Sequence, residues 1–86
     1  MRVRAVVAHD ELHRDGESLV LLDGQVHRVS ALGTMIRDRA RHGASVEELA
    51  AALEEEFGRP TGGTALELTT GAVQTLLDVG LLAPEE

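Results

Sequence analysis

The hydrophobic pattern changes period along the chain, from short alternating runs at the start to helical stripes afterwards. Ser18-Leu19-Val20-Leu21-Leu22 and Gln25-Val26-His27-Arg28-Val29 read as strands flanking Asp23-Gly24. A second Asp-Gly pair, Asp15-Gly16, implies an earlier strand within Val3–Arg14, in or near Glu11–Arg14. Asp-Gly suits a two-residue hairpin, because both central residues of a type I′ turn need φ > 0. The middle run holds four consecutive apolar residues, which predicts a central strand covered on both faces. The last run alternates more and is less apolar, which predicts an edge strand with one side free.

Three helical stretches follow, each opened by Ser or Thr and closed by Gly. Ser30 precedes a stripe of Leu32, Met35, Ile36 and Ala40, and Gly43 stops it. Arg37, Arg39, Arg41 and His42 crowd the end of this helix, where cations suit the helix dipole. Ser45 opens a capping box with Glu48, and Val46, Leu49, Ala50, Leu53 and Phe57 form the second apolar stripe. Gly58 ends that helix, and Arg59–Gly63 reads as a flexible connector. Thr64 and Glu67 make another capping box, opening a helix that runs to about Val79. Leu81 and Leu82 are expected to dock, while residues 1–10 and 83–86 are expected to fray. The pattern predicts one α+β domain over 1–86: a three-stranded antiparallel sheet, then a three-helix bundle, arranged like a winged helix-turn-helix.

The third helix is apolar over too much of its girth. Leu76, Thr69, Val73, Leu66, Leu77 and Thr70 fill one arc, while Leu68, Ala72, Thr75 and Val79 fill an adjoining one. Glu67, Gly71, Gln74 and Asp78 leave only a narrow polar strip. Packing one face on a core needs a stripe of about 100°, roughly half of what is present. Either the helix is central and buried on most sides, or one arc packs inward while the other lines an apolar groove.

Composition narrows the chemistry. The chain of 86 residues has no cysteine, so disulfides, thiolate metal sites and a Cys nucleophile are excluded. Phe57 is its one aromatic residue, so the core is aliphatic. Net charge is −7, and residues 43–86 carry one Arg against nine acids. Such a surface repels phosphate backbones and disfavours anionic membranes. The last helix also lacks the Arg or Lys that a DNA-reading helix needs. No signal segment or membrane span is evident, so a cytoplasmic location is expected.

No catalytic constellation emerges. His9 and His13 share a strand face but would lie about 13 Å apart, too far for one metal ion. Glu54-Glu55-Glu56 reads as the solvated end of a helix, and no phosphate-binding loop follows a strand. No enzyme activity, cofactor or metal is expected. Ser30 at a helix start superficially suits the phosphopantetheine serine of an acyl or peptidyl carrier. Its context, Val29-Ser30-Ala31-Leu32, lacks the usual Asp-Ser-Leu, and an N-cap serine explains it equally.

The run Ser18–Leu22, Asp23-Gly24, Gln25–Val29 and Ser30-Ala31-Leu32-Gly33 resembles PqqD-like proteins, the recognition elements for RiPP precursor peptides. Gly43–Leu49 and Leu76-Leu77-Asp78-Val79-Gly80-Leu81-Leu82 extend the resemblance to residues 11–82. The family often has an aromatic residue and Leu-Asn at the end of the third strand, where this chain has His27-Arg28-Val29-Ser30. The resemblance implies a non-catalytic protein that binds a leader peptide as an added strand and presents it to a modifying enzyme or leader peptidase. It implies a peptide-binding set of Gln25, Val26, His27, Arg28 and Val29 on the strand, with Leu66, Thr70, Val73 and Leu77 as an apolar wall and Gln74 at its rim. Leu68, Ala72 and Val79 are the alternative wall. Arg28, Arg37, Arg39 and Arg41 are candidates to pair with acidic leader residues. Lasso peptides are the first natural-product class to consider. The competing expectation is a winged-helix-like interaction or regulatory domain without leader specificity.

Overall fold

The computed structural model describes residues 1–85. Its elements, in chain order, are β1 (Arg2–Ala5), β2 (Asp10–Arg14), β3 (Glu17–Leu22), β4 (Gln25–Val29), α1 (Ala31–Arg39), β5 (Ala44–Ser45), α2 (Val46–Phe57), α3 (Ala65–Asp78) and β6 (Leu82–Glu85). Two antiparallel three-stranded sheets form, ordered β2-β3-β4 and β5-β1-β6. The α+β class, the sheet of paired hairpins and the three helices match the sequence pattern.

Both hairpins turn on their Asp-Gly pairs. Asp15, Gly16, Asp23 and Gly24 all have positive φ, between 51° and 83°. The helix starts also follow the sequence. Ser30 Oγ accepts from the Gly33 N–H at 3.2 Å, and full capping boxes join Ser45 with Glu48 and Thr64 with Glu67. At the end of α3 the Leu81 N–H reaches the Leu76 carbonyl and the Gly80 N–H reaches Leu77, with Gly80 at φ +81°. This is a Schellman turn. It directs the buried Leu81 under the helices and feeds β6.

The ends of the chain do not fray as expected. β1 lies between β5 and β6, with Val3 fully buried, and Leu82 joins the same core. The expectation failed because β1 and β6 are four residues each and meet only across the whole length of the chain. Neither is long enough to announce itself by period. Glu86, also expected to fray, lies outside the described residues. Glu85 locks the second sheet, with Arg4 Nε donating to Oε2 at 2.7 Å and Arg2 Nε to Oε1 at 3.3 Å. These contacts, led by the Arg4 bond, hold the Glu85 carboxyl below the usual carboxylate range.

Coverage of the first sheet is one-sided, which corrects the expectation for its middle strand. β3 is central, but only Ser18 and Val20 are buried, with Leu22 half-buried, whereas Leu19 and Leu21 are exposed. Among the described residues no second layer covers the outer face. On the inner side Val20 and Val29 join Ile36, Leu49, Leu53, Val73 and Leu76 in one aliphatic core. Fully burying a side chain of this kind is worth about 1.5–3 kcal/mol. Phe57, assigned to the α2 stripe, is exposed at the last turn of its helix. Thr69, fully buried on α3, finds no hydrogen-bond partner for its hydroxyl among the described residues.

Arg37 is the joint between the two sheets. Only 6% exposed, it donates Nε to the Leu81 carbonyl, Nη2 to the Val6 carbonyl at 2.6 Å and Nη1 to Glu11 Oε1 at 2.8 Å. The planar guanidinium spreads these three bonds over three nitrogens held in one fixed fork. Arg37 is therefore buried, with all three of its nitrogens engaged within the chain. Arg39 pairs with Glu56 on α2, and Arg41 pairs with Asp38 within its own helix region. Of the four Arg residues offered as partners for acidic leader residues, Arg37 and Arg39 tie elements together, Arg41 pairs locally, and Arg28 has no ion pair among the described residues.

The depressed Glu85 pKa gives the second sheet a defined acid sensitivity. A carboxylate held low contributes stability that is complete above the unfolded-state pKa and is lost as pH falls through the folded-state value. Glu85→Gln is expected to melt lower than the parent at pH 7, and the difference is expected to close as pH falls below the usual carboxylate range. Thermal melts of the two proteins across that range check this; a constant gap would mean that Glu85 acts by packing.

Candidate functional site

The turn at Asp23-Gly24 decides which backbone groups of β4 are spoken for. Leu22 faces Gln25 across it, followed by Leu21 with Val26, Val20 with His27, Leu19 with Arg28 and Ser18 with Val29. In a two-residue hairpin the flanking pair exchanges both hydrogen bonds, and bonded pairs then alternate. Gln25, His27 and Val29 thus direct their N–H and C=O groups at β3. Val26 and Arg28 direct theirs away from it, and none of these groups finds a backbone partner elsewhere among the described residues. β4 is an edge of its sheet, as the sequence pattern predicts, and no other strand among the described residues covers it.

The other edges are blunted in ways β4 is not. β6 carries Pro84, which lacks a donor, and β5 is only two residues long. β2 carries Asp10, Glu11 and Arg14, with Glu11 drawn onto Arg37. β4 has one formal charge, Arg28, which makes no ion pair among the described residues.

Side chains alternate across this edge. Val29 is buried and His27 half-buried on the inner face, while Val26 and Arg28 project from the outer face. Val26 is 66% exposed and adjoins Leu21, and Leu12, 68% exposed, pairs with Leu19. The four form an uncovered apolar face with a shallow depression of about 200 Å³, bordered by Asp10. Sequence reading missed this face. Its signal was present, since four consecutive apolar residues in a strand put apolar groups on both sides of the sheet.

The helical half of the expected site divides. Leu66, Thr70 and Gln74 are exposed and Leu77 is half-buried, a stripe spaced i, i+4, i+8 and i+11. Gln74 Nε2 donates to Asp78 Oδ1 at 2.9 Å along its rim. Val73 does not belong with them: it is 2% exposed and packs in the core, so its assignment to a groove wall is corrected. On the other flank Leu68 and Val79 are exposed and Ala72 is half-buried. The helix is thus buried along one stripe and open on two flanks, rather than enclosed on most sides.

β4 and α3 approach one another through α1. At Gly33 an added Cβ would stand 2.8 Å from Val29 Cγ1 and 3.8 Å from Leu76 Cδ1. The missing side chain lets the end of β4 and the last turn of α3 close on the first turn of α1. A second cleft of about 200 Å³ lies at the junction of the two sheets, lined by Glu11, His13, Ser18, Thr34, Arg37 and Asp38. Its polar groups are already engaged with each other: Ser18 and Thr34 hydroxyls stand 2.8 Å apart, and His13 Nε2 is 3.4 Å from Glu11. Among the described residues no group of three or more His, Cys, Asp or Glu is placed to hold a metal ion, and no helix is long and apolar enough to cross a membrane.

No family model matches the chain, and neither the curated proteins nor the solved structures provide a match.

Val73 and Leu66 separate core from surface on the same helix. Val73→Asp would leave a carboxylate in an aliphatic core and is expected to cost more than about 3 kcal/mol, enough to unfold a marginal domain. Leu66→Asp is expected to change stability by less than about 1 kcal/mol. Urea unfolding of both variants measures the contrast.

Proposed function

We propose that this chain is a non-catalytic leader-peptide-binding protein. It takes the leader region of a ribosomally made precursor peptide as a fourth strand on β4 and presents it to a separate modifying enzyme or leader peptidase. The observation carrying this reading is the open edge itself: Val26 and Arg28 offer outward donors and acceptors on the least protected strand in the molecule. The resemblance of residues 11–82 to PqqD-like proteins supports the same mode, which is β-augmentation. In this reading the sheet and helices take a winged-helix-like arrangement whose last helix serves a peptide instead of DNA, and the protein acts in the cytoplasm.

Magnitudes show what the peptide needs beyond strand pairing. Each net backbone hydrogen bond is worth about 1 kcal/mol, so pairing with Val26 and Arg28 supplies about 4 kcal/mol. Micromolar affinity corresponds to about 8 kcal/mol. Side-chain burial has to provide the remainder. The proposed wall for it is the exposed stripe of Leu66, Thr70 and Leu77 with Gln74 at its rim, reached by peptide side chains on the inner side of the added strand. Peptide side chains on the other side would lie beside Val26 and Arg28.

The exposed face of Leu12, Leu19, Leu21 and Val26 favours a second reading, an interaction domain that docks a partner on the flat of the sheet without leader specificity. Where a short precursor gene adjoins the gene for this chain, titration with the synthetic leader of that precursor separates the two. Leader binding at the edge is expected to shift amides in residues 25–29 and along the Leu66–Leu77 stripe. Val26→Pro, which removes a donor unused in the free protein, is expected to weaken binding more than tenfold. Unchanged affinity in that variant, or shifts confined to Leu12, Leu19 and Leu21, would favour the second reading.

A further inference from the structure

The same geometry that leaves β4 open makes it complementary to itself. We infer that in the peptide-free protein β4 pairs antiparallel with β4 of a second copy, about a twofold axis through His27, and that a bound peptide and the second copy exclude one another. The exclusion rests on the leader-binding reading; the pairing does not.

The register follows from the positions of the free groups. Val26 and Arg28 are two residues apart with His27 between them, and both direct N–H and C=O outward. A twofold axis at His27 sets Val26 opposite Arg28 of the second copy and Arg28 opposite its Val26. Each opposition is then a hydrogen-bonded antiparallel pair, so every outward group on both strands meets a complement. The interface is isologous and closes at two copies.

Side chains fit this register. Val26 continues the apolar outer row from Leu21. Across the axis that row would run onto the aliphatic stem of Arg28 from the second copy, whose head reaches water. No acid lies in Gln25–Val29, so the net charge of −7 is not concentrated at the contact. The alternatives are poorer. β2 presents Asp10, Glu11 and Arg14, and a β4-to-β2 contact would be heterologous, leaving an unpaired edge at each end. Pro84 and the two-residue length of β5 block the second sheet.

A strand pair of five residues buries far less than the roughly 1,600 Å² of a standard interface. The association should accordingly be weak, with half-dimerisation on the order of 1 mM. Leader binding would then be opposed as protein concentration rises.

Sedimentation velocity of the peptide-free protein from about 10 µM to 1 mM tests the pairing. The parent is expected to move from monomer towards dimer across that range. Val26→Pro and Arg28→Pro, each removing an outward N–H of β4, are expected to stay monomeric with folded circular dichroism. His13→Pro, which removes an outward N–H of β2 by the same parity, is expected to dimerise like the parent. The chain has no cysteine, so His27→Cys gives a single thiol, and the axis brings the two Cα atoms to about 4.5 Å, within disulfide reach. Oxidation is expected to trap a covalent dimer. A parent that stays monomeric throughout, dimers that survive both β4 prolines, or dimers lost in His13→Pro would overturn the inference. Adding the synthetic leader to the dimer is expected to give 1:1 complexes, and a two-to-two complex would overturn the exclusion. A monomer that binds leader removes only this inference; a β4 dimer that binds none removes only the functional reading.

Discussion

The hydrogen-bond parity imposed by the Asp23-Gly24 turn governs everything that happens at the edge of the first sheet. A two-residue loop with both φ values positive leaves one possible sequence of bonded and unbonded pairs along β3 and β4. From it follow the inward assignment of Gln25, His27 and Val29, the outward assignment of Val26 and Arg28, and the side of the sheet on which each side chain stands. A one-residue slip would exchange the two sets and turn Val29 out of the core. The buried end of β4 therefore secures the register of its open end.

A second constraint holds this edge in place relative to the helices. Arg37 gathers Val6, Glu11 and Leu81 around one guanidinium, so the hairpin sheet, the first helix and the terminal sheet meet at a single side chain. Gly33 then allows Val29 and Leu76 to close on α1. The edge is rigidly mounted without being covered. In a chain of this size each unpaired edge is an aggregation liability, and the molecule limits three of its four edges by proline, brevity or charge. That the fourth is left open is what singles it out.

Much of this was legible in the sequence. The two Asp-Gly turns, the three caps and the edge character of Gln25–Val29 are local features, each set by a few adjacent residues, and they appear where the pattern places them. Three other features were not legible. β1 and β6 depend on contacts between opposite ends of the chain, and LAPE with its proline does not look like a strand. The outer face of the sheet was hidden because four apolar residues in a row are equally compatible with double coverage. Val73 was misplaced because the arc of α3 that holds it also holds Leu66 and Thr70, and only the packing of α2 and α1 shows where that arc turns from core to surface. The guanidinium of Arg37 illustrates the same limit: a cation at the end of a helix suits the dipole, and nothing local reveals that it is buried.

The most direct measure of strand addition is residue-resolved amide hydrogen exchange, with and without the synthetic leader. In the free protein, held at about 10 µM where it is monomeric, the Val26 and Arg28 amides should exchange rapidly, and Gln25, His27 and Val29 more slowly. Leader binding should protect Val26 and Arg28 in alternation with little change at the three between and beside them. Protection that appears instead at Glu11 and His13 on the opposite edge, or at no edge amide at all, would contradict the account.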